Sequence, residues 1–300
     1  MYFEEIECKT ALNKIERKSM PYNWDLNVYR GCEHGCKYCF AIYSHKYLGS
    51  YDYYNKIFVK TNVVEQLEKK LSSKTWTQEI INLGGVTDSY QPCESKYKIM
   101  PDILNLLIKY KTPCTISTKS KLILRDYDLI EKLSEVTAVN ISCTITAMDE
   151  KIREKLEPKG AKSLDRFQVL DAFGKTRAST GLHVMPLVPL LTDNRENIEN
   201  LCYNGAKSKV DYVLVSGLNL KGETRKVFFD FISKEYPEKM YDLLKLYKDG
   251  YMDRQYSAER IKMVNEIKGK YNLSGNYKKP LEERLKTFDA KQLSLFDYQL

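Results

Sequence analysis

The chain predicts an α/β fold, a partial (β/α)6 barrel of parallel strands with a helical C-terminal extension. Three observations carry this expectation. Short apolar runs alternate with amphipathic helical stretches through the first two thirds of the sequence. The runs are apolar enough to be buried on both faces, as strands of a parallel sheet are. The strand–helix unit recurs six times, which suggests an open barrel, since the closed form of this architecture takes eight units.

The elements follow in order. Asp25–Tyr29 reads as the first strand. Asn62–Leu71 reads as a helix with Val63, Val64, Leu67 and Leu71 on its apolar face, and Ile80–Leu83 as a short strand ending at Gly84 and Gly85. Pro101–Lys109 is a helix with proline in its first turn, where the missing N–H costs nothing. Thr115–Thr118 is a strand, Arg125–Ser134 a helix and Val139–Ile145 a buried strand. A helix runs from Ser163 to Phe173 with Gly174 as its stop, followed by a strand over Leu182–Val188 that Pro186 interrupts. Glu196–Ala206 is a helix and Tyr212–Val215 the last strand. From about Gly222 the chain is helical, charged and rich in tyrosine, and it is expected to pack on the barrel. The organisation expected is therefore a barrel over 1–220, a helical extension over 221–290 and a tail over 291–300.

The bulk properties bound the function. The chain has 300 residues, 43% of them hydrophobic, enough to bury a full core. Its net charge of +8 suits a polyanionic partner, though a solvated surface accounts for it as well. No apolar run approaches the roughly 20 residues of a membrane span, and the N-terminus lacks the pattern of a secretory signal, so a cytoplasmic location is expected. In that compartment Cys8, Cys93, Cys114, Cys143 and Cys202, scattered along the chain, read as reduced thiols.

The chemistry is concentrated in Cys32, Cys36 and Cys39, spaced C-x3-C-x2-C with no fourth cysteine close by. Three thiolates on one tight loop can hold three corners of a [4Fe–4S] cluster and leave the fourth iron without a protein ligand. That arrangement does not suit simple electron transfer, where four cysteines are usual. It suits S-adenosylmethionine, which can chelate the open iron through its amino and carboxylate groups and accept the electron that cleaves its sulfonium. Gly31 and Gly35 let the loop turn around the inorganic core, and Tyr38 could lie along the adenine. A zinc site completed by His34 or His45 is the alternative at this point.

The cysteine run resembles the signature of the radical SAM superfamily. Four later runs sharpen the resemblance: Gly84-Gly85-Val86-Thr87-Asp88-Ser89-Tyr90-Gln91-Pro92, Ser117-Thr118-Lys119-Ser120, Asn140-Ile141-Ser142, and Leu156-Glu157-Pro158 followed by Ser163-Leu164-Asp165-Arg166. Together they are similar to the spore photoproduct lyase family in its broad sense, the DNA repair photolyase branch, over roughly residues 8–240. The resemblance implies Cys32, Cys36 and Cys39 as cluster ligands, and backbone at Gly84 and Gly85 against the methionine moiety. It further implies Lys119 on the SAM carboxylate, Ser142 hydrogen-bonded to SAM, and the backbone of Met185 at the adenine. It departs at Gly85, which stands where spore photoproduct lyase has the cysteine that returns hydrogen to the product. Cys93 in the same loop is the substitute expected.

Two features point to a substrate and a partner. Tyr43, Tyr47, Tyr51, Tyr53 and Tyr54 lie among His45, Lys46, Lys56 and Lys60, a mixture that can stack on bases and hold phosphates or can simply cover the barrel. Gln292, Leu293, Ser294, Leu295 and Phe296 resemble the peptide by which bacterial DNA-processing proteins dock on the sliding clamp. The function expected is that of a radical SAM enzyme acting on damaged or modified DNA bases, a lyase fed by an electron donor such as flavodoxin or ferredoxin. A radical SAM enzyme on RNA or peptide, and a non-catalytic Fe–S or zinc module associated with DNA, are the alternatives.

Overall fold

The computed structural model describes residues 1–16, 20–248 and 250–297, and of residues 289–297 the backbone alone. The strands are β1 (Tyr2–Ile6), β2 (Leu12–Lys14), β3 (Trp24–Leu26), β4 (Tyr29–Arg30), β5 (Lys56–Lys60), β6 (Ile81–Leu83), β7 (Cys114–Thr118), β8 (Val139–Thr144), β9 (Ser179–Leu187) and β10 (Tyr212–Gly217). The helices of the barrel region are α1 (Val63–Leu71), α2 (Glu94–Tyr97), α3 (Ile99–Lys109), α4 (Tyr127–Val136), α5 (Glu150–Leu156), α6 (Ser163–Phe173) and α7 (Arg195–Lys207). The C-terminal helices are α8 (Gly222–Glu235), α9 (Met240–Leu246), α10 (Arg254–Lys270) and α11 (Lys278–Asp297).

The larger sheet has the order β10-β9-β8-β7-β6-β3-β2. All neighbours are parallel except the β2–β3 pair. Its six parallel strands are the six expected from the sequence, and a helix covers each crossover. A smaller sheet, β1-β5-β4, lies beside it. The first strand stops earlier than its apolar run suggested. The side chain of Asn27 takes over from the ladder, donating to Asp25 Oδ2 at 2.6 Å and accepting from Val86 N at 2.9 Å. The chain then leaves the larger sheet, and Tyr29 pairs with Val59 in the smaller one. α5 was not anticipated. Asp149 caps it, accepting from the amides of Lys151 and Ile152 at 2.8 and 3.2 Å.

The strands are not apolar on both faces, as their sequences had suggested. One alternating set, including Leu26, Ile81, Leu83, Ile116, Ile141, Leu182 and Val213, packs under the helices with residues such as Leu67, Leu107, Leu133 and Leu170. Each fully buried aliphatic side chain there is worth about 1.5–3 kcal/mol. The other set faces the barrel interior and is largely polar: Asp25, Asn82, Thr115, Ser117, Asn140, Ser142 and His183. Asn82 Nδ2 donates to Asp25 Oδ1 at 2.7 Å, and Asn140 Nδ2 to Thr115 Oγ1 and the Tyr212 hydroxyl at 3.1 and 3.0 Å. The alternation in Val139-Asn140-Ile141-Ser142-Cys143-Thr144 is the signal for this layer.

The C-terminal helices close over the barrel. Phe228, Phe231 and Ile232 of α8, with Leu243 and Tyr247, form a second apolar cluster around Cys36, Tyr38 and Leu156. Val264 and Ile267 of α10 join the main core. No described helix is long and apolar enough to cross a membrane.

Gly181 and Gly269 give opposite expectations for one substitution. A Cβ on Gly181 would lie 2.1 Å from Tyr212 Cζ, whereas nothing lies within 4 Å of one on Gly269 in α10. Gly181→Ala should cost about 1–3 kcal/mol through overpacking, and Gly269→Ala should gain roughly 0.5–1 kcal/mol from helix propensity. Thermal melts of the two variants check both signs.

Candidate active site

Cys32, Cys36 and Cys39 stand on the loop between β4 and the 3-10 helix Phe40–Leu48. Cys32 and Cys36 are buried, Cys39 is half-buried, and all three are free thiols. The loop must both turn and approach other backbone. Gly31, at φ +86°, is where it does so: a Cβ there would lie 2.8 Å from the Lys56 carbonyl and 2.9 Å from that of Tyr53.

Three walls hold the loop. The first is the run after β6. Thr87 Oγ1 and Gln91 Nε2 both donate to the Gly31 carbonyl, at 2.5 and 3.2 Å, and Gln91 Oε1 accepts from Glu33 N at 2.9 Å. Glu33 Oε2 in turn accepts from Cys93 N at 2.6 Å. The second wall follows α5. Lys37 N donates to the Leu156 carbonyl at 2.9 Å, Lys159 N to that of His34 at 3.2 Å, and the Tyr38 hydroxyl to Glu157. The third wall is aromatic and helical. The Tyr54 hydroxyl donates to the Cys36 carbonyl at 2.6 Å, Cys32 N to the Tyr53 carbonyl at 3.2 Å, and Thr224 of α8 to the Cys39 carbonyl at 3.0 Å. Of the five tyrosines between Tyr43 and Tyr54, Tyr53 and Tyr54 thus brace the loop. Tyr43, Tyr47 and Tyr51 are exposed, with the Lys46 ammonium 5.1 Å from the Tyr47 ring centre.

Buried charge gathers under this loop. Glu157 and Arg166 are fully buried, with Arg166 Nη2 2.5 Å from Glu157 Oε2. Burial alone would raise the Glu157 carboxyl, but Arg166 and then Lys119 outweigh it and hold it below the usual carboxylate range. Arg166 also donates to the Thr144 carbonyl at 2.6 Å. Lys119, just past β7, carries an ammonium that forms no ion pair among the described residues. Burial opposes its charge, while Cys36 and Glu157 favour it and hold its pKa above the ordinary lysine value. Burial pushes the Cys36 thiol up to about 12, with Lys119 opposing. Cys32 is pushed up by burial, then by Asp88, Cys36 and Cys39, so the three sulfurs share one electrostatic environment.

The remaining expected residues lie around this rim. Gly84 takes φ +93°, and its amide donates to the Leu26 carbonyl at 2.8 Å. Gly85 has no room for a side chain, because a Cβ would lie 2.4 Å from both oxygens of Asp25. Ser142, fully buried, donates to the Ile116 carbonyl at 3.3 Å. Met185 lies near the C-terminal end of β9. Cys93 is buried, and burial followed by Glu33, which its thiol hydrogen-bonds, keeps that thiol protonated. His183 is held inside the barrel, Nδ1 3.4 Å from Ser117 Oγ and Nε2 3.1 Å from the Tyr212 hydroxyl. Burial and then Lys119 lower it to about 4, so it is neutral at physiological pH. Sequence reasoning missed the bracing roles of Glu33, Thr87, Gln91, Tyr54 and Thr224. Thr87 and Gln91 were in a recognised run, but nothing local says that they meet a loop more than fifty residues away. The tail peptide Gln292–Phe296 lies among residues whose side chains are outside those described.

The residues fit an iron–sulfur cluster with S-adenosylmethionine. Three free thiols share one prebuilt loop, and an ammonium beside Cys36 that forms no ion pair among the described residues suits a carboxylate. Among the described residues no three His, Cys, Asp or Glu side chains converge closely enough for a single metal ion. A cubane asks for more room, with each thiolate on its own iron.

Comparison with known proteins gives the family and the fold. The family model described as the radical SAM superfamily matches residues 26–202. The Mycobacterium tuberculosis protein Rv2578c is 31% identical over 299 residues, covering 98% of this chain and 88% of that protein. The Methanocaldococcus jannaschii protein MJ0683 is 26% identical, over 78% of this chain and 83% of that protein. A spore photoproduct lyase variant solved with AdoMet and dinucleoside spore photoproduct shares the fold. Its TM-score is 0.64 at 12% identity, covering 90% of this chain and 79% of that one.

The buried pair supplies a pH-dependent expectation. Arg166→Met strands the Glu157 charge and should cost about 3–5 kcal/mol near neutral pH. In the wild type the lowered Glu157 pKa adds stability above the ordinary carboxylate range, which is lost as pH falls through the lowered value. The gap in Tm between wild type and Arg166→Met should therefore be widest near neutral pH and narrow towards acid. Melting curves at a series of pH values measure it.

Proposed function

The chain belongs to the radical SAM superfamily, and from that membership and the geometry of the rim we propose that it is a radical SAM enzyme acting on damaged or modified DNA bases, a photoproduct lyase-like repair activity. The observation that carries the reading is the three-thiol loop beside the Lys119 ammonium, which forms no ion pair among the described residues. When bound, a [4Fe–4S] cluster open at one iron supplies the electron that cleaves S-adenosylmethionine to a 5′-deoxyadenosyl radical.

The chain's own residues do the rest. Cys32, Cys36 and Cys39 hold the cluster. Lys119 pairs with the SAM carboxylate, and the backbone at Gly84 and Gly85 admits the methionine moiety closely. Ser142, the Met185 backbone and the Tyr38 ring complete the pocket. Cys93 gives its S–H hydrogen atom to the product radical, and the thiyl left behind regains the thiol by taking one electron from the external donor and one proton; the protonated thiol is the form that this role needs. The exposed Phe40, Tyr43, Tyr47 and Tyr51, with Lys46, offer stacking faces and a cation beside the loop for nucleic acid. An external one-electron donor such as flavodoxin or ferredoxin reduces the cluster. A second reading, RNA or peptide as substrate, is favoured by Gly85, beside which the Asp25 carboxylate occupies the space that a thiol would need. Docking on the bacterial sliding clamp through Gln292, Leu293, Ser294, Leu295 and Phe296 is carried by the sequence.

Anaerobically reconstituted protein should bind close to four irons per chain and release 5′-deoxyadenosine from SAM, with product from ultraviolet-damaged DNA. Cys36→Ala should abolish SAM cleavage. Lys119→Met should keep its iron and weaken SAM binding at least tenfold, as expected for loss of an ion pair worth about 1.5–3 kcal/mol. Cys93→Ala should cleave SAM and give aberrant product. A protein that takes up one zinc and no iron would sink the reading, and SAM cleavage indifferent to DNA would move it to the second substrate class. For the tail, a peptide of residues 288–300 should bind the clamp with on the order of micromolar affinity, and Leu295→Ala with Phe296→Ala should abolish it in a calorimetric titration.

A further inference from the structure

His34 lies inside the cysteine loop and is buried. Its Nδ1 is 3.6 Å from Cys32 Sγ and 3.4 Å from Asp88 Oδ2. A neutral imidazole carries one N–H. Both groups that face Nδ1 are acceptors once Cys32 is a thiolate, so the proton belongs on Nδ1. The other tautomer would set a lone pair against a carboxylate oxygen. Asp88 cannot turn away, because its Oδ1 accepts from Thr118 Oγ1 and Tyr90 N at 2.8 and 2.9 Å and its Oδ2 from Lys119 N at 2.9 Å. The carboxylate is thus anchored to the end of β7, with its Oδ2 3.4 Å from the imidazole Nδ1.

We infer that His34, whose Nδ1 also faces the Asp88 carboxylate, is a positioning residue that donates an N–H hydrogen bond to the Cys32 sulfur and so shifts the reduction potential of the cluster upward. A hydrogen bond to a ligating sulfur draws electron density from it and stabilises the reduced state. The inference rests on the reading of Cys32 as a cluster ligand. Asp88 receives the backbone amide of Lys119, so the same carboxylate joins the strand end beside the SAM carboxylate position to a ligand of the cluster.

The test uses full-length, anaerobically reconstituted wild type, His34→Phe and His34→Asn. Iron content is measured first, then the midpoint potential by EPR-monitored titration. His34→Phe should load iron as the wild type does, and its midpoint should move to more negative potential with an altered EPR signal. His34→Asn, whose side-chain N–H falls near the Nδ1 position, should return towards the wild type. An iron-loaded His34→Phe with unmoved potential and signal overturns the inference alone, as does a His34→Asn shifted as far as His34→Phe. Wild type that binds no iron overturns the cluster reading and the inference with it. Where His34→Phe fails to load, wild type grown with ¹⁵N-histidine decides. A weak nitrogen coupling to the reduced cluster supports the inference, and its absence overturns it.

Discussion

The run from Gly31 to Cys39 has no regular secondary structure of its own, yet much of it is buried. Its amides and carbonyls must therefore find partners outside the run. This one requirement organises the molecule around it. The Gly31 carbonyl is met by Thr87 and Gln91, the Glu33 amide by Gln91, and the Cys36 and Cys39 carbonyls by Tyr54 and Thr224. Elements from before β5 to α8 converge on a short loop, and the three sulfurs are held where they are by hydrogen bonds formed on folding.

Charge under the loop is handled in the same way. A buried carboxylate beside buried thiols would be costly alone. Arg166 meets Glu157 from α6, Thr146 and Tyr38 donate to the other oxygen, and Lys119 lends its field while forming no ion pair among the described residues. The Lys119 ammonium lies 5.9 Å from the Tyr38 ring centre, at the rim where an anionic group of a ligand could meet it. Asp88 stands opposite, bound to the end of β7 and facing His34.

The barrel interior has a different logic from its outside. Outward residues are aliphatic and pack under helices, while inward residues pair with each other across strands. Tyr212 reaches Asn140 and His183 only because Gly181 leaves the space for its ring. A polar interior of this kind holds its shape by directed hydrogen bonds, and it presents neutral groups such as His183 and Ser117 to whatever the rim binds.

Much of this was legible in the sequence because it is local. Six apolar runs separated by helical stretches encode the parallel sheet, and the cysteine spacing marks the loop, since strand and helix periodicity and ligand spacing are properties of near neighbours. Boundaries suffered where a side chain replaced the ladder, as at Asn27, and the polar inner face was overlooked although Val139–Thr144 alternates. The partners of the loop were beyond reach for a physical reason. That Thr224 serves Cys39, that Asp25 fills the space beside Gly85, and that the Asp88 carboxylate faces His34 depend on how residues distant in the chain meet in space. Element order, the thiol set and the family signature are written in residues close together along the chain. Which donors satisfy the buried loop, and which charges face one another beneath it, follow from packing, because burial and hydrogen-bond geometry exist only once the elements meet.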